Sequence, residues 1–166
     1  MYKLETYIRE DRIPYMTKTE ICNEKVNVNS PEKVFEMLNT YFNLGLRSEE
    51  YVYMISMDNK CNVIGVFEVS HGSLNQSILN PREIFMKALL SGAASIILAH
   101  NHPSGNCSPS QKDHNCCLRI SEAGKMLGIE LSDFLIISKN TYCSFKERAY
   151  LWGEWNEDIS NRNRNL

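Results

Sequence analysis

The pattern of apolar and polar positions at the start of the chain predicts a strand and a helix. The run Tyr2–Ile8 is rich in β-forming residues and predicts a short strand, and we expect a loop from there through Asn29. Ser30 and Pro31 then suit the N-cap and the first position of a helix. The residues that follow give this helix one apolar face, since they recur at helical spacing: Val34, Phe35, Leu38, Tyr41 and Phe42.

The middle of the chain predicts a hairpin followed by a second helix. Tyr51–Met57 and Val63–Val69 are two β-rich runs separated by a polar stretch, which indicates two antiparallel strands. Asn80 is a suitable N-cap with Pro81 at the first helical position, and Gly92 suits the C-terminal cap. We therefore expect a strand pair and then a helix in this part of the chain.

The second half of the chain predicts a buried strand, a third helix and another strand. Ser95–Ala99 is a short, continuously apolar run, as expected for a buried strand. Ser108 is a candidate N-cap for the third helix, with Gln111 completing a capping box, and Gly128 is expected near its end. The run Glu130–Ser138 predicts the strand that follows.

These elements predict one domain over residues 1–150, closed by a short element over 142–149, and a polar tail over residues 151–166. Strands and helices interleave, while the hairpin adds an antiparallel pair. We therefore expect an α/β fold in which a mixed β-sheet is sandwiched by helices.

Composition and charge limit the function classes. The chain has 166 residues, of which 43% are hydrophobic and 23% are charged, which is typical of a globular domain with a core. No apolar run is long enough to span a membrane, and the first residues lack the apolar segment of a signal peptide, so we expect a cytoplasmic protein with reduced cysteines. The formal charge of −2 gives no basic surface for nucleic acid.

The most informative segment runs from His100 to Asp113. His100 and His102 follow the predicted buried strand two residues apart, so both imidazoles can point to one face of it. Asp113 begins a stripe along the third helix that continues through Ile120 and Leu127, and a carboxylate on a buried stripe is costly unless it is paired or bound to a metal. Two imidazoles and one carboxylate leave one position of a tetrahedral cation open, as at catalytic zinc sites.

The spacing His-x-His-x7-Ser-x2-Asp over residues 100–113 resembles the signature of the JAMM (JAB/MPN) metallohydrolases. The string His-Asn-His-Pro-Ser-Gly at 100–105, with Pro-Ser at 109–110, resembles the RadC-type branch of that family. The resemblance runs from about Tyr2 to Tyr150. It also includes these segments: Ser56–Asp58, Asn80–Glu83, Ile97–His100 and Glu122–Lys125.

This resemblance implies a fold similar to the JAB/MPN (cytidine-deaminase-like) sandwich. It implies one Zn²⁺ per chain, held by His100, His102 and Asp113, and hydrolysis of an amide bond in a peptide or another amide-containing substrate. The enzyme class would be a metallopeptidase or an isopeptidase.

The resemblance also implies two catalytic side chains. Glu68 would be the general base that activates the attacking water; by strand parity it shares a face with Ile64 and Val66, so we expect it to point where apolar residues point. Ser110 would stabilise the oxyanion from the first turn of the third helix, where the helix dipole favours negative charge.

Two further interpretations stay open. RadC-like proteins have been called DNA repair factors, although the charge of −2 and the lack of a basic stripe lead us to expect no intrinsic DNA binding. The other interpretation is a binding module with a vestigial metal site, as in metal-free JAB/MPN relatives. Zinc-dependent deamination is disfavoured because neither H-x-E nor P-C-x-x-C occurs. The roles of His71 and Cys107, the substrate and the oligomeric state are left open.

Overall fold

The structure, a computed structural model, describes residues 1–72 and 79–152. Their strands are β1 (Tyr2–Ile8), β2 (Pro14–Glu20), β3 (Tyr51–Met57), β4 (Val63–His71), β5 (Ser95–Asn101), β6 (Glu130–Ile137) and β7 (Tyr142–Ser144). Their helices are α1 (Pro31–Phe42), α2 (Pro81–Leu90) and α3 (Gln111–Leu127), with short 3-10 helices at Leu44–Leu46 and Tyr150–Trp152. The part of the predicted tail that follows Trp152 lies outside the described residues. None of the described helices is long and apolar enough to cross a membrane.

The strands form one mixed sheet in the order β2-β1-β4-β3-β5-β6-β7. β1 is parallel to β4 and β5 is parallel to β6, while the other neighbours are antiparallel. We call the side of the sheet covered by α1, which carries Tyr53 and Ile97, the α1 face. The side covered by α2 and α3, which carries Val52 and Leu98, is the α3 face. The predicted α/β fold with helices on both sides of a mixed sheet is confirmed.

The first two helices begin at the predicted caps. The Ser30 hydroxyl accepts a hydrogen bond from the Lys33 backbone N–H, and the Asn80 side chain accepts one from the Arg82 N–H at 3.0 Å. Beyond the end of α2, Gly92 adopts a φ of +65°, a left-handed conformation that glycine takes without strain.

The expected loop through Asn29 is wrong, because it contains β2. β2 pairs with β1 over its full length, from Tyr2 opposite Glu20 to Ile8 opposite Pro14. The residues of β2 are half-buried over Pro14–Met16 and exposed over Thr17–Glu20, so this strand carries little of the apolar signal that marks a buried one.

The predicted start of α3 is also wrong. The helix begins at Gln111 with Ser110 as its N-cap, and Ser108 lies before the helix. A capping box between Ser110 and Asp113 fixes this start, since each residue's side chain bonds the other's backbone N–H. The inward stripe is confirmed for Asp113 but not for Leu127, whose side chain is half exposed. Positions seven residues apart are rotated by about 20° around the axis of an α-helix. After two such steps Leu127 is turned away from the core.

The hairpin β1–β2 is attached to the rest of the sheet through a close contact at Gly65. Lys3 of β1 pairs with Val66 of β4, and the neighbouring Leu4 is buried. A Cβ atom at Gly65 would lie 2.3 Å from Leu4 Cδ1, so the missing side chain makes room for Leu4. The glycine at position 65 therefore provides the space in which Leu4 packs where β1 meets β4.

Candidate metal centre

β5 places the two histidines at the carboxyl end of a buried strand. His100 pairs with Val52 of β3 and Ile136 of β6, lies on the α3 face and is 1% exposed. His102 follows the strand, and its backbone N–H donates to the Ile137 carbonyl at 3.0 Å. The two Nε2 atoms lie 3.0 Å apart, so both imidazoles converge on one point.

α3 brings Asp113 to the same point. Its Oδ1 atom lies 3.3 Å from His100 Nε2, and its Oδ2 atom lies 3.9 Å from His102 Nε2. One donor atom from each of these three residues lies within 4.8 Å of the others. Because Asp113 is buried, its charge calls for a cationic or hydrogen-bonding partner.

This donor set fits a zinc ion. Zinc–ligand bonds of about 2.0–2.1 Å at tetrahedral angles place neighbouring donors roughly 3.3 Å apart. The observed separations of 3.0 Å between the imidazoles and 3.3 Å between His100 and Asp113 are close to that value. The group His100, His102 and Asp113 could therefore bind a metal ion.

Each imidazole directs its Nε2 atom at the cluster. Burial lowers the pKa of His100 to about 4, with the Asp113 charge opposing this and the His102 charge adding to it, so His100 is neutral at pH 7. His102 Nδ1 lies 2.6 Å from the Asn106 carbonyl. Since a carbonyl can only accept, Nδ1 carries a proton, and Nε2 is the ring nitrogen that faces the cluster.

Ser110 contacts the carboxylate of Asp113 twice. Its backbone N–H and its hydroxyl lie 2.7 Å and 2.6 Å from Asp113 Oδ2. The hydroxyl oxygen also accepts from the Asp113 backbone N–H at 3.3 Å. Ser110 is thus brought to the edge of the cluster, as the N-cap of α3 and not as a residue of its first turn.

Glu68 is not brought to the cluster. It pairs with Tyr53 and therefore lies on the α1 face, whereas His100 pairs with Val52 on the α3 face. Its carboxylate is exposed and accepts a 3.3 Å hydrogen bond from the Tyr53 hydroxyl. Burial, with the Glu68 charge adding to it, raises the pKa of Tyr53 to about 12, which keeps that phenol a donor. Glu68 shares the face of Val66 as expected, but its side chain is not buried. The buried part of β4 ends at Phe67, and the strand is half-buried or exposed from Glu68 onward.

The sequence did not indicate the role of Asn101, which lies between the two histidines on the opposite face. Its Oδ1 atom accepts from the Tyr51 backbone N–H at 2.7 Å. Its Nδ2 atom donates to the carbonyls of Glu49 at 2.9 Å and Arg47 at 3.3 Å. Asn101 therefore joins the end of β5 to the segment that leads into β3. The sequence feature that could have indicated this role is the side-chain amide itself, since an amide within a buried strand needs hydrogen-bond partners.

Aromatic rings support the histidine that β5 buries. The Phe134 ring meets the His100 ring edge-on, with centroids 5.4 Å apart. His114 is not part of the metal-binding group and packs between Phe145 and Tyr150 with centroid distances of 4.9 Å. Phe134 also packs on Phe145, with centroids 4.9 Å apart, so these rings form one aromatic cluster beside His100.

His71 and Cys107 also lie outside the cluster. His71 ends β4 on the α1 face, where it is hydrogen-bonded to Glu49 and stacked on Tyr51 with centroids 4.3 Å apart. The Cys107 thiol lies 3.5 Å from the Thr141 carbonyl and packs against the core. Neither side chain is a ligand in the described group.

Comparison with known proteins assigns the chain to a family. The family model described as the RadC-like JAB domain matches residues 28–150. A UPF0758 protein of Pelobacter propionicus is 44% identical over 124 residues, which cover 74% of this chain and 52% of the relative. UPF0758 proteins of Clostridium botulinum and Clostridium tetani are 41% identical over 130 residues (78% of this chain, 56% of the relative) and 48% identical over 103 residues (62% and 45%).

This chain belongs to the RadC-like JAB domain family. It spans about half the length of the curated relatives it matches. The mixed sheet with helices on both sides is consistent with the JAB/MPN α/β fold, and the three converging donors are compatible with a metallohydrolase of that family.

Proposed function

We propose that this chain is a Zn²⁺-dependent hydrolase domain of the JAMM type, which cleaves an amide bond in a peptide as a metallopeptidase or isopeptidase. The proposal rests on one observation: His100, His102 and Asp113 direct three donor atoms at a single point at the end of a buried strand. Structural zinc sites use four protein ligands, whereas three protein ligands leave a position for water or substrate. Membership of the RadC-like JAB domain family supports the same class.

The residues at the site would prepare it for this chemistry. When bound, Zn²⁺ lowers the pKa of the water that it holds to about 7 and polarises the carbonyl to be cleaved. His100 stays neutral and so keeps its lone pair, and the Asn106 carbonyl holds the ring of His102. The buried carboxylate of Asp113 supplies the negative charge that complements the ion.

We propose Glu68 as the group that takes a proton from the attacking water and passes it to the leaving amine. Its carboxylate is exposed and held by one long hydrogen bond, so it has freedom to move. The role requires β4 to turn this side chain from the α1 face toward the α3 face when substrate binds. A register shift between β3 and β4 lies next to the Tyr53–Glu68 pair, and bulges of this kind redirect neighbouring side chains.

A second candidate is a metal-binding interaction module without turnover. The observation that favours it is the position of Glu68, which lies on the face of the sheet opposite His100. Such a module would hold the metal through the same three ligands and use it for binding or stability.

Metal content tests the ligand set. Protein purified without chelator should carry about one zinc per chain by inductively coupled plasma mass spectrometry. The double variant His100→Ala/His102→Ala should lose most of it, and Asp113→Ala should do the same. His71→Ala is the matched control, since it removes an exposed histidine outside the group and should keep the zinc. Full occupancy in the double variant would contradict the assignment.

Turnover separates the two candidates. The zinc-loaded protein is incubated with a mixed-sequence peptide library and with isopeptide-linked peptides, and cleavage is read by mass spectrometry. We expect hydrolysis by the wild type and none by Glu68→Gln, which keeps its zinc but cannot accept the proton. Zinc binding without cleavage by the wild type favours the interaction module. Unchanged turnover in Glu68→Gln would mean that another group is the base.

We propose that peptides, and not DNA, are the partners of this chain. Its 18 lysines and arginines are outnumbered by 20 acidic residues, which gives little attraction for phosphates. A gel shift with duplex DNA at low salt should show at most weak binding. Tight, salt-sensitive binding would favour the DNA-associated interpretation instead.

A further inference from the structure

The hydroxyl of Ser110 has a single hydrogen, and the structure shows where it goes. It points to Asp113 Oδ2 at 2.6 Å, and the Ser110 backbone N–H contacts the same oxygen at 2.7 Å. The hydroxyl oxygen in turn accepts from the Asp113 N–H. In this arrangement the side chain has no hydrogen left to donate to an oxyanion.

The two oxygens of the Asp113 carboxylate are therefore unlike. Oδ2 accepts two hydrogen bonds from Ser110, while Oδ1 faces the His100 ring at 3.3 Å. Oδ2 is the oxygen nearer to His102, but it lies 3.9 Å from that Nε2 atom, a longer separation than the 3.3 Å between Oδ1 and His100. A carboxylate held this way offers a metal one oxygen and keeps the other engaged with the protein.

We infer that Ser110 is a positioning residue for the metal ligand Asp113, which it restricts to coordination through Oδ1 alone. This inference rests on the proposed metal site and changes the role of Ser110 from oxyanion stabilisation to control of the coordination number. By occupying Oδ2, Ser110 keeps Asp113 a one-oxygen ligand, so that His100, His102 and Asp113 supply three donors and the remaining position stays open.

The test uses Co²⁺ as the probe, because its visible absorption is intense at four-coordinate sites and weaker at five-coordinate ones. Wild-type protein should give the four-coordinate spectrum. Ser110→Ala removes the hydroxyl bond to Oδ2 and leaves only the backbone N–H on that oxygen. Oδ2 can then become a second donor, so the spectrum should weaken toward the five-coordinate form and the Co²⁺ affinity should fall about 10- to 100-fold. Ser110→Thr keeps a hydroxyl and should restore both. If Ser110→Ala does not fold, Ser110→Gly replaces it, since glycine is well tolerated at an N-cap.

Ser30→Ala is the matched control, because it removes the equivalent N-cap hydroxyl from α1, on the other face of the sheet. It should leave the Co²⁺ spectrum and affinity unchanged. Wild-type affinity and spectrum in Ser110→Ala, with or without loss of turnover, would overturn the inference, as would an equal loss in Ser30→Ala. A wild-type protein that binds neither Co²⁺ nor Zn²⁺ would overturn the proposed function itself, which distinguishes the two failures.

Discussion

Truncation of Asn101 should destabilise the fold by about 3 kcal/mol even without metal. Asn101→Ala removes three hydrogen bonds and leaves the Tyr51 N–H and the carbonyls of Glu49 and Arg47 without this partner. Each such bond contributes roughly 1 kcal/mol net. Three bonds therefore give about 3 kcal/mol, or a fall in Tm of roughly 6–12 °C for a domain of this size.

The measurement is calorimetric or chemical unfolding in excess chelator, so that metal binding does not add to the stability. Asn59→Ala is the control, because this asparagine lies exposed in the turn between β3 and β4, and its free energy of unfolding should change by less than about 0.5 kcal/mol. Asn101→Asp keeps the acceptor but turns an oxygen toward two carbonyls, so it should be at least as destabilising as Asn101→Ala. A loss below about 1 kcal/mol in both Asn101 variants would refute the anchoring role.

Three further outcomes follow from the packing and from the shifted pKa values. Gly65→Ala should destabilise by about 1–3 kcal/mol because its Cβ would meet Leu4, and the double variant with Leu4→Ala should cost less than the sum of the single changes in unfolding experiments. Burial raises the pKa of Asp133 above its usual value despite hydrogen bonds from a serine and two backbone N–H groups, so its folded state binds the proton more tightly. The contribution of Asp133 to the free energy of unfolding should therefore fall as the pH rises above about 4. Asp133→Asn should lack this pH-dependent contribution, and an identical pH dependence of stability in the two proteins would contradict the reasoning. Burial also raises the pKa values of Cys116 and Cys117 to about 11 and about 12, so iodoacetamide at pH 8 should label them slowly in native protein and rapidly after unfolding, as read by mass spectrometry.

The elements that sequence patterning predicted well are those whose signals are local. β1 and β3 have the predicted bounds, and α1 and α2 begin at the predicted caps, because a polar cap followed by proline is legible without knowledge of the fold. β2 was missed because it pairs only with β1 at the edge of the sheet and buries little apolar surface. The start of α3 was placed two residues early, since Ser108 and Ser110 both suit an N-cap and only the partner Asp113 decides between them.

The candidate site, too, has parts that local sequence signals predict and parts that depend on strand pairing. The convergence of His100 and His102 could be predicted from their spacing, since two residues apart on a strand means one face. The position of Glu68 relative to them could not, because it depends on which face each of two separate strands turns toward α3. That relation is set by the pairing of Glu68 with Tyr53 and of His100 with Val52, which no local pattern reveals.

Because His100 and Asn101 point to opposite faces of β5, the register of this strand is fixed. One face needs an imidazole for the donor cluster, and the other needs an amide for the segment that enters β3. Inserting or deleting one residue within Ser95–Asn101 would exchange the two, placing an amide at the cluster and an imidazole against backbone carbonyls. Insertions and deletions should therefore be excluded from this strand during evolution and accepted in the exposed turn at 58–62. The order of residue types in His100-Asn101-His102 should be retained, because each position serves a fixed face of the strand.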